Sequence, residues 1–171
     1  MDFPEDIYSN RILEVVATMP PAELLEKPDG SGVRNSKLCG SKVRVDLEIK
    51  NGHISSYGHE LEACLLGQTA AAVMARNALD LAGANGLTRA DVVAVRDDML
   101  AMLKEDGPPP TGIWSDLEVL YPVKDYKPRH TSMMLVFEAV LDAFDDAAGK
   151  SAAHERDGEI RGADAAPFLD E

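Results

Sequence analysis

The chain has 171 residues, 17 Lys and Arg against 30 Asp and Glu, and a formal net charge of -13. That length suits one domain, which withdraws roughly 70% of the extended chain's surface from water, so neither disulfides nor a metal are required for stability. The acidic balance leaves no basic stripe for phosphates and excludes nucleic acid as a partner, and no apolar run reaches the ~18 residues of a membrane span.

The first turns carry Ile7, Ile12, Leu13, Val15 and Val16 at helical spacing and stop at Pro20-Pro21, which predicts an N-terminal helix between Asp6 and Thr18. The N-terminus itself is acidic and lacks the form of a secretory signal, so a cytoplasmic protein is expected. From there to Ser36 the chain contains Pro28, Gly30 and Gly32 and reads as loop, with room for at most a short edge strand. Ser41 to Lys50 alternates strictly. Val43, Val45, Leu47 and Ile49 share one face, while Lys42, Arg44, Asp46, Glu48 and Lys50 take the other. Asn51-Gly52 supplies the two positive-φ positions of a tight hairpin, and Ile54 to about His59 returns antiparallel. His53, in that turn, is expected to be solvated.

Cys64 to Ala82 is rich in alanine, which lets a helix lie close against a sheet. Thr88-Arg89-Ala90-Asp91 has the form of a capping box, with Asp in place of Glu, and opens a helix that buries Val92, Val95, Met99, Met102 and Leu103. Gly107-Pro108-Pro109-Pro110 stops it. A short helix over Trp114–Leu120, a loop over Pro122–Pro128 and a last helix over Ser132–Ala147 follow. The acidic groups Asp97-Asp98 and Asp142 to Asp146 fall on helices and read as solvated faces. From Gly149 the chain is polar and glycine-dotted, which predicts a domain over residues 1–148 and a disordered acidic tail over 149–171. The element order gives an α+β fold, with helices packed on one face of a small antiparallel sheet of about three strands.

Two cysteines, Cys39 and Cys64, are too few for a secreted disulfide framework and point to free thiols, metal ligands or sulfur carriers in a reducing compartment. Cys39 precedes the long strand, where Gly40 leaves the backbone free to turn; Cys64 stands where the return strand meets a helix N-terminus, a position that favours thiolate. The hairpin between them lets both sulfurs reach one end of the sheet. The competing structural reading is strong, because free cysteine commonly serves as a small buried hydrophobe.

Cys39-Gly40-Ser41 before an alternating strand, Ala63-Cys64 opening an alanine-rich helix, and Pro128-Arg129-His130-Thr131-Ser132 before an apolar helix together resemble the iron–sulfur cluster scaffold family of NifU N-terminal, IscU and SufU types. The resemblance spans roughly Asp6 to Ala147. It implies a site where three cysteines, usually joined by an Asp, hold zinc, iron or a nascent iron–sulfur cluster, since soft thiolates suit both. Cys39 and Cys64 match the first two ligands. Ser41 stands where the family has Asp, and the third cysteine is missing. A gapless SufU-type comparison puts its position at Ser132, which is preferred; an IscU-type comparison aligns His130 with the family's histidine and Thr131 with the cysteine. His130, Ser41 and Ser132 thus join Cys39 and Cys64 as candidate ligands, while His59 precedes Cys64 by five residues with undetermined strand parity. Leu120-Tyr121-Pro122-Val123-Lys124 resembles the family's chaperone-recognition motif at the wrong spacing and reads as coincidence.

The resemblance implies a non-enzymatic scaffold for a transient cluster or metal, with a cysteine desulfurase and other assembly proteins as partners. A persulfide-accepting sulfur carrier is the alternative, since it needs only one reactive thiolate. A metal-free paralogue that binds other assembly proteins is the third reading. A homodimer follows if one cluster takes two thiolates from each of two copies.

Overall fold

The computed structural model describes residues 10–38 and 40–157. Helix α1 (Asn10–Ala17) leads into three strands, β1 (Gly30–Asn35), β2 (Lys42–Lys50) and β3 (His53–Glu62). Helices α2 (Leu65–Asp80) and α3 (Arg89–Lys104) follow, then 3-10 segments over Gly112–Asp125 and Lys127–Arg129, and finally α4 (His130–Asp157). The strands form one antiparallel sheet in the order β1-β2-β3. Helix α4 lies across β1 and β2, and α2 lies against β3 and α4; α1 packs on α2, and α3 on α4. This is the expected α+β arrangement. No described helix is long and apolar enough to cross a membrane.

The hairpin forms as its sequence dictates, with φ of 53° at Asn51 and 79° at Gly52. Val43, Val45 and Leu47 fill the core face of β2. The opposite face departs from expectation at Asp46, which is wholly buried. The chain between α1 and β1 folds over it, and the carboxylate accepts bonds from the Leu25 amide at 3.3 Å, the Ser31 hydroxyl at 2.7 Å and Arg44 Nε at 3.2 Å. A buried charge needs such partners, which periodicity alone does not reveal.

Both sheet edges are covered. On β3, the Ile54 amide donates to the Leu87 carbonyl and the His59 amide to that of Glu23. His53 is half-buried, its Nδ1 2.7 Å from the Gly86 carbonyl, so it is not the solvated turn residue the sequence suggests. On β1, the Ser31 amide donates to Asp146 and Arg34 pairs with Asp142, both from α4. Asp145 pairs with Arg89 on α3. Asp142 and Asp146 are therefore ties rather than part of a solvated face, because α4 crosses the edge strand at this point, while Asp145 stays exposed as expected.

Three boundaries move. The 3-10 segment Gly112–Asp125 contains Pro122 and replaces the expected short helix and loop. Helix α4 starts two residues before Ser132 and runs through Gly149 to Asp157. Residues 158–171 of the expected tail, and residues 1–9 of the expected first helix, lie outside the described residues.

Tyr57 on β3 is buried, and its hydroxyl has no partner among the described residues. Burial pushes its ionisation well above the usual value near 10. Above about pH 10 the unfolded chain loses this proton while the folded chain keeps it, so stability falls by about 1.4 kcal/mol per pH unit. Tyr57→Phe is expected to flatten that alkaline limb in urea titrations and to raise neutral-pH stability by about 1 kcal/mol, since it deletes an unpaired buried hydroxyl.

Candidate functional site

Cys64 is the N-cap of α2, with φ -64° and ψ 166°, and its side chain makes no capping bond. The helix begins there because β3 ends at Glu62 and the following Leu-Leu-Gly-Gln-Thr-Ala-Ala-Ala run has no β-branched residue before Thr69. The first turn is tied back to the strand end by Gln68, whose amide donates to the Cys64 carbonyl at 2.9 Å and whose Nε2 donates to the Ala63 carbonyl at 2.8 Å. The half-buried thiol is thus left to face α4, where its Sγ lies 3.0 Å from Ser132 Oγ. Ser132 is 2% exposed.

This contact depends on Gly67, one turn into α2. A Cβ at that position would stand 3.1 Å from both the Ser132 carbonyl oxygen and the Ala63 methyl group, so only glycine admits α4 this closely without displacement. Gly67 is a site residue the sequence reading missed; its signal was a lone glycine early in an otherwise alanine-rich helix.

The geometry separates the two possible positions of the family's third cysteine. Ser132 faces Cys64, whereas Thr131 is exposed and lines a different cleft. His130 goes with Thr131 on that cleft wall; its Nε2 donates to the carbonyls of Lys124 at 2.9 Å and Val123 at 3.2 Å. Residues two apart on a helix point to nearly opposite sides, so His130 is not brought to Cys64 by the element that delivers Ser132. His59 is also remote in role: it is buried on β3, its ring edge-on to Tyr57 and its Nε2 3.2 Å from the Pro20 carbonyl.

Ser41 is 2% exposed and closes the turn before β2, its carbonyl accepting the Ser36 amide at 2.8 Å. Gly40, at φ 70°, donates its amide to the Ser36 carbonyl at 2.9 Å. Cys39 itself lies outside the described residues. The register pairs Lys42 with Glu62, so the chain that enters β2 runs beside the chain that leaves β3 for Cys64. Among the described residues no three His, Cys, Asp or Glu side chains are grouped to hold a metal ion. In Leu120-Tyr121-Pro122-Val123-Lys124, Leu120 and Val123 are wholly buried. The Lys124 ammonium is held at 2.6 Å by Asp106 and at 2.8 Å by the Tyr121 hydroxyl. These bonds hold the Asp106 carboxyl below its usual range and the Lys124 ammonium above its own. The apolar residues of the segment are core rather than an exposed recognition peptide.

No protein-family profile matches the sequence, and no curated protein matches it. Solved structures do. A nitrogen-fixing NifU-like protein (N-terminal) from Brucella abortus is 42% identical, with a TM-score of 0.77 over 85% of this chain and 97% of that one. A protein from Fervidobacterium islandicum AW-1, assigned as an iron–sulfur cluster assembly scaffold for the SUF system, shares the fold at 17% identity. Its TM-score is 0.68 over 83% of this chain and 99% of that one.

Proposed function

The chain belongs to the NifU-like N-terminal family, and from that premise we propose that it is a non-enzymatic scaffold in iron–sulfur cluster assembly, taking a cluster or its iron as cargo at Cys64. The observation that carries this reading is the match over nearly the whole of a NifU-like chain, combined with a half-buried cysteine at a helix start. Cys39 is the second thiolate in this proposal, and Ser41 and Ser132 are neutral oxygen neighbours. Thiolates bind iron and zinc strongly; a serine hydroxyl, not ionised near neutral pH, binds them poorly. A closed zinc site takes four ligands, so this donor set favours loose holding of cargo over permanent storage. The partners in this reading are a cysteine desulfurase and the proteins that receive the cluster, in a reducing cytoplasm. A homodimer is the form in which two copies supply four thiolates.

Anaerobic reconstitution with ferrous iron and sulfide tests the reading. Wild type is expected to develop sulfur-to-iron charge-transfer absorbance, and Cys64→Ser and Cys39→Ser each to lose most of it. Identical spectra for wild type and both variants would sink the assignment. A rise in mass to twice that of the chain on reconstitution is the sign of the shared cluster.

The hydroxyl at 3.0 Å favours a second reading in which Cys64 carries sulfur. The Cys64 thiolate attacks the outer sulfur of a desulfurase persulfide, a new S–S bond forms, and the desulfurase thiolate leaves with the electron pair of the broken bond. Incubation with desulfurase and cysteine is then expected to add one sulfur atom to Cys64, read by mass spectrometry, with Cys64→Ser unmodified.

A further inference from the structure

In a chain of net charge -13, three of the eight lysines, Lys104, Lys124 and Lys127, line a single cleft of about 690 Å³. It lies where α3 ends and α4 begins, and Cys64 is not on its wall. Its volume is that of a small-molecule site rather than an ion site.

The lining divides into groups already satisfied and groups that are not. Lys124 is neutralised by Asp106 and bonded to Tyr121. The side chains of Lys104, Lys127, Asp125 and Thr131 make no hydrogen bond or ion pair among the described residues. His130, 6% exposed, uses Nε2 on two carbonyls and leaves Nδ1 unpaired on the wall. That nitrogen is not sealed from solvent, and with the proton on Nε2 it is left as an acceptor open to a ligand in the cleft. The charges left over are two ammonium groups and one carboxylate. A polyanion would meet Asp125 and the acidic field of the whole chain; a simple cation would meet two lysines.

We propose that this cleft binds a small ligand with two carboxylates and one ammonium, the class of the acidic amino acids. Lys104 and Lys127 take the carboxylates, Asp125 and His130 Nδ1 take the ammonium, and Thr131 donates to a carboxylate oxygen. This role goes beyond cluster assembly and does not depend on it.

The test titrates the full chain at constant ionic strength with L-glutamate, with glutarate, which lacks the ammonium, and with L-glutamine, which lacks the second carboxylate. Calorimetry or amide chemical shifts at Thr131 give the affinities. Saturable binding of L-glutamate is expected, with each single-group deletion weaker by at least about tenfold, the loss of one charge-assisted contact. Lys104→Met and Lys127→Met, both at exposed side chains, should each weaken L-glutamate by a similar factor. Asp125→Asn should abolish the preference for L-glutamate over glutarate. Equal affinity for glutarate and L-glutamate, indifference to the lysine substitutions, or no saturation by about 10 mM L-glutamate overturns the proposal. None of these results bears on iron or sulfide reconstitution, so the two readings stand or fall separately.

Discussion

Gly32→Val is expected to cost about 3 kcal/mol or more and to lower the melting temperature by about 6–12 °C. Gly30 and Gly32 share one face of the edge strand β1, directly beneath α4. A Cβ on Gly32 would overlap the carbonyl oxygen of Ala139 and crowd the amide of Ala143; one on Gly30 would meet Ala143 and Ala147 in the same way. These are backbone atoms, so relief requires α4 to lift off the strand, and its lifting would also part Arg34 from Asp142 and the Ser31 amide from Asp146. Gly149→Ala is the internal control. It lies on α4, has nothing within 4 Å of the added methyl, and should stabilise by up to about 1 kcal/mol through helix propensity alone. A Gly32→Val protein that melts with wild type in calorimetry would show that the close approach of α4 and β1 is not a feature of the solution fold.

Ser132→Cys is expected to raise zinc affinity by at least about a hundredfold, beyond the range by which even outer-shell partners change it. The residue stands 3.0 Å from the Cys64 sulfur, so the substitution places a second soft donor beside the first without moving either helix. Competition against a chromophoric chelator under reducing conditions measures the gain, and Ser132→Cys in a Cys64→Ser background should lose it. Unchanged affinity in Ser132→Cys would mean that α2 and α4 do not present these two side chains to one ion. Ser132→Ala serves as the opposite probe: it removes the hydroxyl from Cys64 and should leave zinc affinity unchanged while destabilising by about 1 kcal/mol.

The elements most legible in sequence were those governed by local rules. The capping box at Thr88 and Asp91 forms as written, with the Asp91 amide donating to Thr88 Oγ1 at 3.2 Å and the Thr88 amide donating back to Asp91 at 2.9 Å. Asn51-Gly52 turns the hairpin, and the alanines of α2 are buried. The misread elements were those whose environment comes from far along the chain. Asp46 looked solvated because its neighbours alternate, yet residues 20 to 31 fold over it; His53 looked like a turn residue, yet the loop before α3 pairs with it.

The candidate site divides the same way. Residue type and order alone determined that Cys64 stands between a strand and a helix and that no cysteine opens the last helix, with Ser132 preferred over Thr131 for the family's third position. A strand-to-helix junction and the count of cysteines are local properties, written in neighbouring residues. Which of Thr131 and Ser132 meets Cys64, and that His130 turns away onto the carbonyls of the 3-10 segment, was decided only by how α4 lands on α2. That rotation is set by packing at Gly67 and against Gly30 and Gly32, through contacts between residues as many as 117 positions apart, and no local pattern encodes the phase of one helix against another.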